Sequence, residues 1–155
     1  MEYKETGNSP IGGKGAIILT NGLLVTNDAK TAHGLIRGTE RYEIVGVIDP
    51  PTAGQDAGVV LDGKHRDIPI FSSLADSLET LQSVDYLIIG VATVGGVLPP
   101  DMLVIVTEAI KHGISIVNGL HEYLSEKPEI TVLAEQYNVQ LIDVRKPKAR
   151  KDLHF

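Results

Sequence analysis

The stretch "YLIIGVATVGGVLPPD", Tyr86 to Asp101, breaks an apolar run on glycines and restarts after two prolines. Gly90, Gly95 and Gly96 allow sharp turns that bring backbone N–H groups close to a ligand, and Pro99 or Pro100 presets φ for a following helix. A helix amino end attracts anions, so Thr93, Gly95 and Gly96 read as part of a phosphate or carboxylate cradle. Asp101, in or beside the first helical turn, works against that by offsetting the dipole with its own charge. The alternative is a tight strand-to-helix turn with no ligand.

Three further loops carry polar groups of the same kind. "TNGLLVTNDAKTAHG" lacks the strict G-x-G-x-x-G fingerprint, but it offers Asn21, Gly22, Lys30 and Thr31 ahead of a helix that Asn27 or Asp28 can cap. Lys30 stands where the dipole disfavours a cation, a conflict that a bound anion would resolve and that solvent also tolerates. Gly34 costs that helix about 1 kcal/mol relative to Ala, acceptable if the helix packs closely on a sheet. Asp49 closes an apolar run at the place where a carboxylate can accept from ribose hydroxyls, or simply starts an Asp-Pro turn with Pro50. "NGLHEYL" places Asn118, Gly119, His121 and Glu122 just past another run; the histidine is a candidate general acid or base, or a capping side chain.

His33, His65, His112 and His154 show no ligand spacing, and without cysteine there is no thiolate site, so a metal is not expected. "GNSPIGGKG" imitates a P-loop, but its glycine spacing is off by one and Gly15 stands where Ser or Thr should follow Lys14. It also precedes a strand instead of following one, so residues 1–14 read as a flexible lead-in.

The elements that must position these loops alternate along the chain. Ala16 to Thr20, Glu43 to Asp49, Ile68 to Phe71, Val84 to Val91, Ile114 to Gly119 and Val139 to Val144 read as strands, several of them apolar on consecutive positions as in a sheet covered on both faces. Asp28 to Arg37, Ser73 to Gln82, Asp101 to His112 and Pro128 to Tyr137 read as helices, the last with Ile130, Leu133, Ala134 and Tyr137 on one stripe. Pro50 to Asp67 reads as a loop or small hairpin. This pattern predicts an α/β fold: a Rossmann-like, doubly wound, mostly parallel sheet in three α/β/α layers. Ligands of such sheets bind beyond the carboxyl ends of the strands, where the strand order reverses. The loops after Thr20, Asp49, Val91 and Asn118 are therefore the ones that could hold a ligand.

Composition limits the partners. The 155 residues suit one domain, and 43% hydrophobic with 22% charged residues is ordinary for a globular protein. No apolar run is long enough for a membrane span, no signal core opens the chain, and the cytosol is the default expectation. A net charge of −6 argues against a nucleic-acid groove. Arg145, Lys146, Lys148, Arg150 and Lys151 crowd the tail, but Pro147 and missing apolar spacing make residues 145–155 read as a solvated basic linker.

Two resemblances attach to particular segments. "IPIFSSLADSLETLQSVDYLIIGV" looks like the middle of CoA-binding and oxidoreductase Rossmann domains. "DAKTAHGLIR", "IIGVATVGG", "ISIVNGLHEYL" and "LIDVRKP" together resemble the amino-terminal Rossmann-like domain of the D-glutamate N-acetyltransferase-like (DgcN-like) family, formerly a domain of unknown function. The likeness runs from about Gly15 to Phe155. It implies a Rossmann-like domain over residues 15–144, followed through the basic linker by a P-loop NTPase-like domain that this chain does not contain. It also implies acetyl-CoA as donor and an amino acid as acceptor.

The resulting expectation is a domain of a two-domain enzyme that binds a nucleotide, CoA or an acidic amino acid at Asn21, Gly22, Lys30, Thr31, Asp49, Thr93, Gly95, Gly96, Asn118, Gly119 and His121. Acetyl-CoA or an adenine nucleotide is the cofactor class expected. The rival is a non-catalytic assembly or regulatory domain forming a symmetric homo-oligomer. An NAD-dependent dehydrogenase is weaker because the first loop lacks its fingerprint.

Overall fold

The consecutive apolar runs form the six strands of one all-parallel sheet: β1 (Gly15–Leu19), β2 (Glu43–Ile48), β3 (Ile70–Phe71), β4 (Tyr86–Ile89), β5 (Ser115–Asn118) and β6 (Leu141–Asp143). A computed structural model of the chain describes residues 14–147. The strand order is β3-β2-β1-β4-β5-β6, the Rossmann order, and it reverses between β1 and β4. Because every pairing is parallel, all six strand exits lie along one edge.

Five helices make the crossovers: α1 (Lys30–Arg37), α2 (Ala57–Asp62), α3 (Leu74–Thr80), α4 (Pro100–Lys111) and α5 (Pro128–Gln136). Right-handed crossovers put α1 and α2 on one face and α3, α4 and α5 on the other, in keeping with the contacts of α1 with α2 and of α4 with both α3 and α5. Burial of Ala16, Ile17, Ile18 and Leu19 in succession follows from that double cover. With Leu87, Ile89 and Ile116 these side chains form the centre of the core. Each large aliphatic one contributes about 1.5–3 kcal/mol.

Close packing of α1 on the sheet is achieved at a different glycine from the expected one. A Cβ on Gly34 would meet nothing within 4 Å, whereas one on Gly90 would lie 2.6 Å from Ile18 Cγ2 and 3.1 Å from Ala32 Cβ. The approach is between Ala32 and the exit of β4, and the Ala32 N–H donates to the Gly90 carbonyl at 3.2 Å.

The largest correction concerns Pro50 to Asp67. Instead of a loop or hairpin it contains a 3-10 turn, Pro50–Thr52, and the helix α2. Asp56 caps α2 through Val59 N–H, and the same carboxylate accepts from Arg66 and Ile68 N–H, at 2.8–3.0 Å. Gly63 ends the helix in the left-handed region at φ 84°. One side chain thus closes both ends of a segment whose six helical residues are too few to display a period. Smaller shifts occur elsewhere. Thr26, not Asn27 or Asp28, caps the turn Asn27–Ala29 ahead of α1. Tyr137 lies just past α5 and is exposed, while Ile130 and Ala134 of the expected stripe are buried. The lead-in over residues 1–13 and the tail beyond Pro147 lie outside the described residues. Among the described residues no helix is long and apolar enough to cross a membrane.

Candidate functional site

Where the exits of β4 and β5 meet the start of α1, the sheet edge opens into a cavity of about 330 Å³. Its polar wall comes from four separate elements: Lys30 and Thr31 at the start of α1, Thr93 and Gly96 after β4, His121 after β5 and Arg145 after β6. Two backbone bonds hold α1 against β4 here, Ala32 N–H to the Gly90 carbonyl and Ala92 N–H to the Asp28 carbonyl at 2.8 Å. A neighbouring cavity of about 470 Å³ lies between the β1 exit and the start of α4 and shares Asp28, Ala92 and Thr93 with the first. A larger apolar groove, about 540 Å³, runs between α3 and α4 along Leu74, Leu78 and Val104. It lies away from the strand exits and gathers few polar groups, so the smaller rim cavity is the better candidate for specific binding.

Lys30, Thr31, Thr93, Gly96, Gly119 and His121 come together on the first cavity. Asn21 lines the second, where its Nδ2 donates to Asp101 Oδ2 at 2.8 Å. Gly22, Asp49, Gly95 and Asn118 line neither cavity.

The two polar groups that miss the cavities hold the loops that form them. Asp49 is buried, with 1% of its surface exposed. One of its oxygens accepts from Thr20 Oγ1, Gly22 N–H and Leu24 N–H at 2.7–3.2 Å, and the other from Thr52 Oγ1 at 2.6 Å. It organises the β1 exit instead of facing the rim. Asn118 is equally buried; its Nδ2 donates to Glu122 O and to Asp143 Oδ1, both at 2.8 Å, and its Oδ1 accepts from Leu120 N–H. Asp143, paired in register with Asn118, also accepts from Leu124 and Ser125 N–H at 2.9 and 3.0 Å. Partial burial pushes its carboxyl upward, but the hydrogen bonds from Asn118, Ser125 and Leu124 outweigh that and hold it below the ordinary range.

His121 rests directly on the glycine loop. A Cβ on Gly96 would sit 2.8 Å from His121 Cβ and 2.9 Å from Cδ2, and Gly96 has φ +70°. Next to it, Glu122 N–H donates to the Gly96 carbonyl at 2.9 Å. The Glu122 side chain accepts from Leu98 N–H at 2.6 Å and pairs with Lys127 Nζ at 2.7 Å. The Leu98 amide, with Lys127 in support, holds the Glu122 carboxyl below its usual range. Thr93 Oγ1 closes the loop from the other side by donating to the Val97 carbonyl.

Arg145 is the cavity residue that the loops after the strands did not suggest, and Glu122, noted beside His121, carried no expected role. Arg145 was expected in a solvated linker; instead its Nε donates to the Gly119 carbonyl at 2.6 Å and it stands on the cavity wall. Lys146 also folds back, donating to Ser125 Oγ at 2.9 Å. The usable signal was position: Arg145 follows the β6 exit, on the same edge as the other exits. Among the described residues no group of three or more His, Asp or Glu is arranged to hold a metal ion.

Comparison with known proteins gives matching results at three levels. Residues 50–147 match the family described as "Domain of unknown function (DUF1611_N) Rossmann-like domain". A D-glutamate N-acetyltransferase of Pseudoalteromonas sp is 42% identical over 60 residues, 39% of this chain and 18% of that protein. A D-glutamate N-acetyltransferase of Tritonibacter scottomollicae is 29% identical over 122 residues, 79% of this chain and 33% of that protein. A crystal structure of a DUF1611 family protein from Anabaena variabilis ATCC 29413 superposes with a TM-score of 0.78 at 34% identity, covering 92% of this chain and 40% of that one. The matched regions therefore span a third or less of the curated relatives and two fifths of the solved one.

Proposed function

The chain belongs to the DUF1611_N family of Rossmann-like domains, and from that premise we propose that its rim cavity binds the acidic amino-acid substrate of an N-acetyl transfer, the chain being one part of a two-domain enzyme. The observation that carries this reading is the convergence of Lys30, Arg145 and His121 on one cavity of about 330 Å³. Two cations there suit a ligand with more than one carboxylate, and exposed Asp28 on the same wall suits its ammonium. The volume lies at the low end of the ~300–1,000 Å³ typical of small-molecule sites. An amino acid fits it and a whole coenzyme A does not, so the bulk of an acyl donor lies outside, toward the open rim.

Amide formation requires a neutral amine against an activated acyl carbon. His121 takes one proton from the ammonium, the freed nitrogen attacks the thioester carbonyl, and as the C–S bond breaks the nitrogen's second proton passes to the departing sulfur, so the donor leaves as a free thiol. The names of the two curated relatives, both D-glutamate N-acetyltransferases, support D-glutamate as the acceptor.

Calorimetric titration of the 155-residue chain with D-glutamate, and separately with coenzyme A, tests the reading. We expect saturable binding of D-glutamate, weakened by about tenfold in Lys30→Ala and in Arg145→Ala, the loss of one charge-assisted contact each. Failure of a folded chain to bind it, or binding indifferent to both substitutions, defeats the proposal. A second reading, assembly with another copy, draws on one observation: Val104, 64% exposed, beside the apolar groove between α3 and α4. Light scattering of the chain and of Val104→Lys distinguishes it, since a dimer through this face should dissociate in the variant.

A further inference from the structure

We infer that Glu122, which does not line the cavity, is the positioning residue that sets His121 over the glycine loop; the inference rests on the reading of that cavity as a substrate site. Three contacts converge on Glu122 from the β4 exit and the start of α5. Its N–H donates to the Gly96 carbonyl, one carboxylate oxygen accepts from Leu98 N–H at 2.6 Å, and the other holds Lys127 Nζ at 2.7 Å. Its own carbonyl accepts from buried Asn118 at 2.8 Å. Glu122 thereby ties the turn Val94–Gly96 to the loop after β5, two segments that no strand pairing joins.

His121 lies between these ties, its side chain in contact range of Gly96. Gly96 supplies no side chain that could hold the imidazole, and His121 is exposed. Among the described residues, the distance between the two loops sets where the ring stands relative to Lys30 and Arg145. Removing the Glu122 carboxylate frees Leu98 N–H and Lys127 and leaves the backbone bond to the Gly96 carbonyl as the remaining tie; the loops then part, and the imidazole leaves the place where a substrate amine would meet it. Glutamate suits this role because one carboxylate serves the loop amide and the lysine at once. Glutamine keeps an acceptor for Leu98 N–H and loses the ion pair.

The test uses the 155-residue chain with Glu122→Ala, Glu122→Gln and, as reference, His121→Ala. In NMR spectra the imidazole against Gly96 shifts the Gly96 Hα resonances, and His121→Ala defines their position without the ring. Glu122→Ala is expected to move them toward the His121→Ala position, with Gly113 at the far edge of the sheet unchanged, while Glu122→Gln stays near wild type. D-Glutamate affinity is expected to fall about tenfold in Glu122→Ala and by less in Glu122→Gln. Unmoved Gly96 resonances in a folded Glu122→Ala overturn the inference. If the wild-type chain does not bind D-glutamate, the substrate reading fails, and the Gly96 resonances alone decide whether Glu122 positions His121.

Discussion

Asp49 and Asp143 occupy equivalent places in the two halves of the sheet and do different work. Each stands at the exit of a strand that flanks the loop it organises: Asp49 beyond β2 holds the loop after β1, and Asp143 at the end of β6 holds the loop after β5. In each case a polar side chain on the neighbouring strand's exit, Thr20 or Asn118, bridges to the carboxylate. Asp49 is sealed and the residues it holds, Gly22 and Leu24, do not line the cationic cavity, whereas Asp143 is half-buried and the loop it holds carries His121, with Arg145 two residues beyond Asp143. The same device serves as scaffold where it is sealed and as site support where it stays near solvent.

Asp49→Ala is the harshest break of that comparison. It strands Gly22 and Leu24 N–H and the hydroxyls of Thr20 and Thr52, and should cost about 3 kcal/mol of stability in a denaturant titration. A loss under 1 kcal/mol would mean the β1 exit does not depend on it.

Asp143→Asn should cost less, about 1–2 kcal/mol, because asparagine keeps one acceptor oxygen and water can reach the N–H left without one. Its acid dependence sharpens the contrast. The folded-state pKa of Asp143 is depressed, so its contribution is complete above the unfolded value near 3.9 and is lost as pH falls through the folded value. The stability gap between wild type and Asp143→Asn should therefore narrow as pH drops below about 4, read from thermal melts.

The mildest test compares adjacent glycines of the site half. Gly95 and Gly96 both have φ +70°, so alanine at either should cost about 1 kcal/mol in backbone strain. A Cβ at 95 meets nothing within 4 Å, but one at 96 meets His121. D-Glutamate affinity, by calorimetry, should survive Gly95→Ala and fall in Gly96→Ala; equal effects would show that contact with His121 is immaterial.

Local chemistry made much of this architecture legible. Consecutive apolar runs such as Ala16 to Thr20 announce strands covered on both faces, their alternation with helical segments predicts parallel crossovers, and parallel strands place every exit on one edge. That is why Lys30, Thr31, Thr93, Gly96, Gly119 and His121, all in segments that leave strand exits, line one cavity. What the sequence could not disclose is which polar group answers which. Asp49 and Asn118 have the residue types of ligand contacts, yet register with the neighbouring strand turns them inward; α2 is closed by Asp56 through partners up to 12 residues away. Hydrogen bonding depends on a few ångströms of approach between segments distant in the chain, and that approach exists only once the sheet order has placed β1 beside β2 and β5 beside β6.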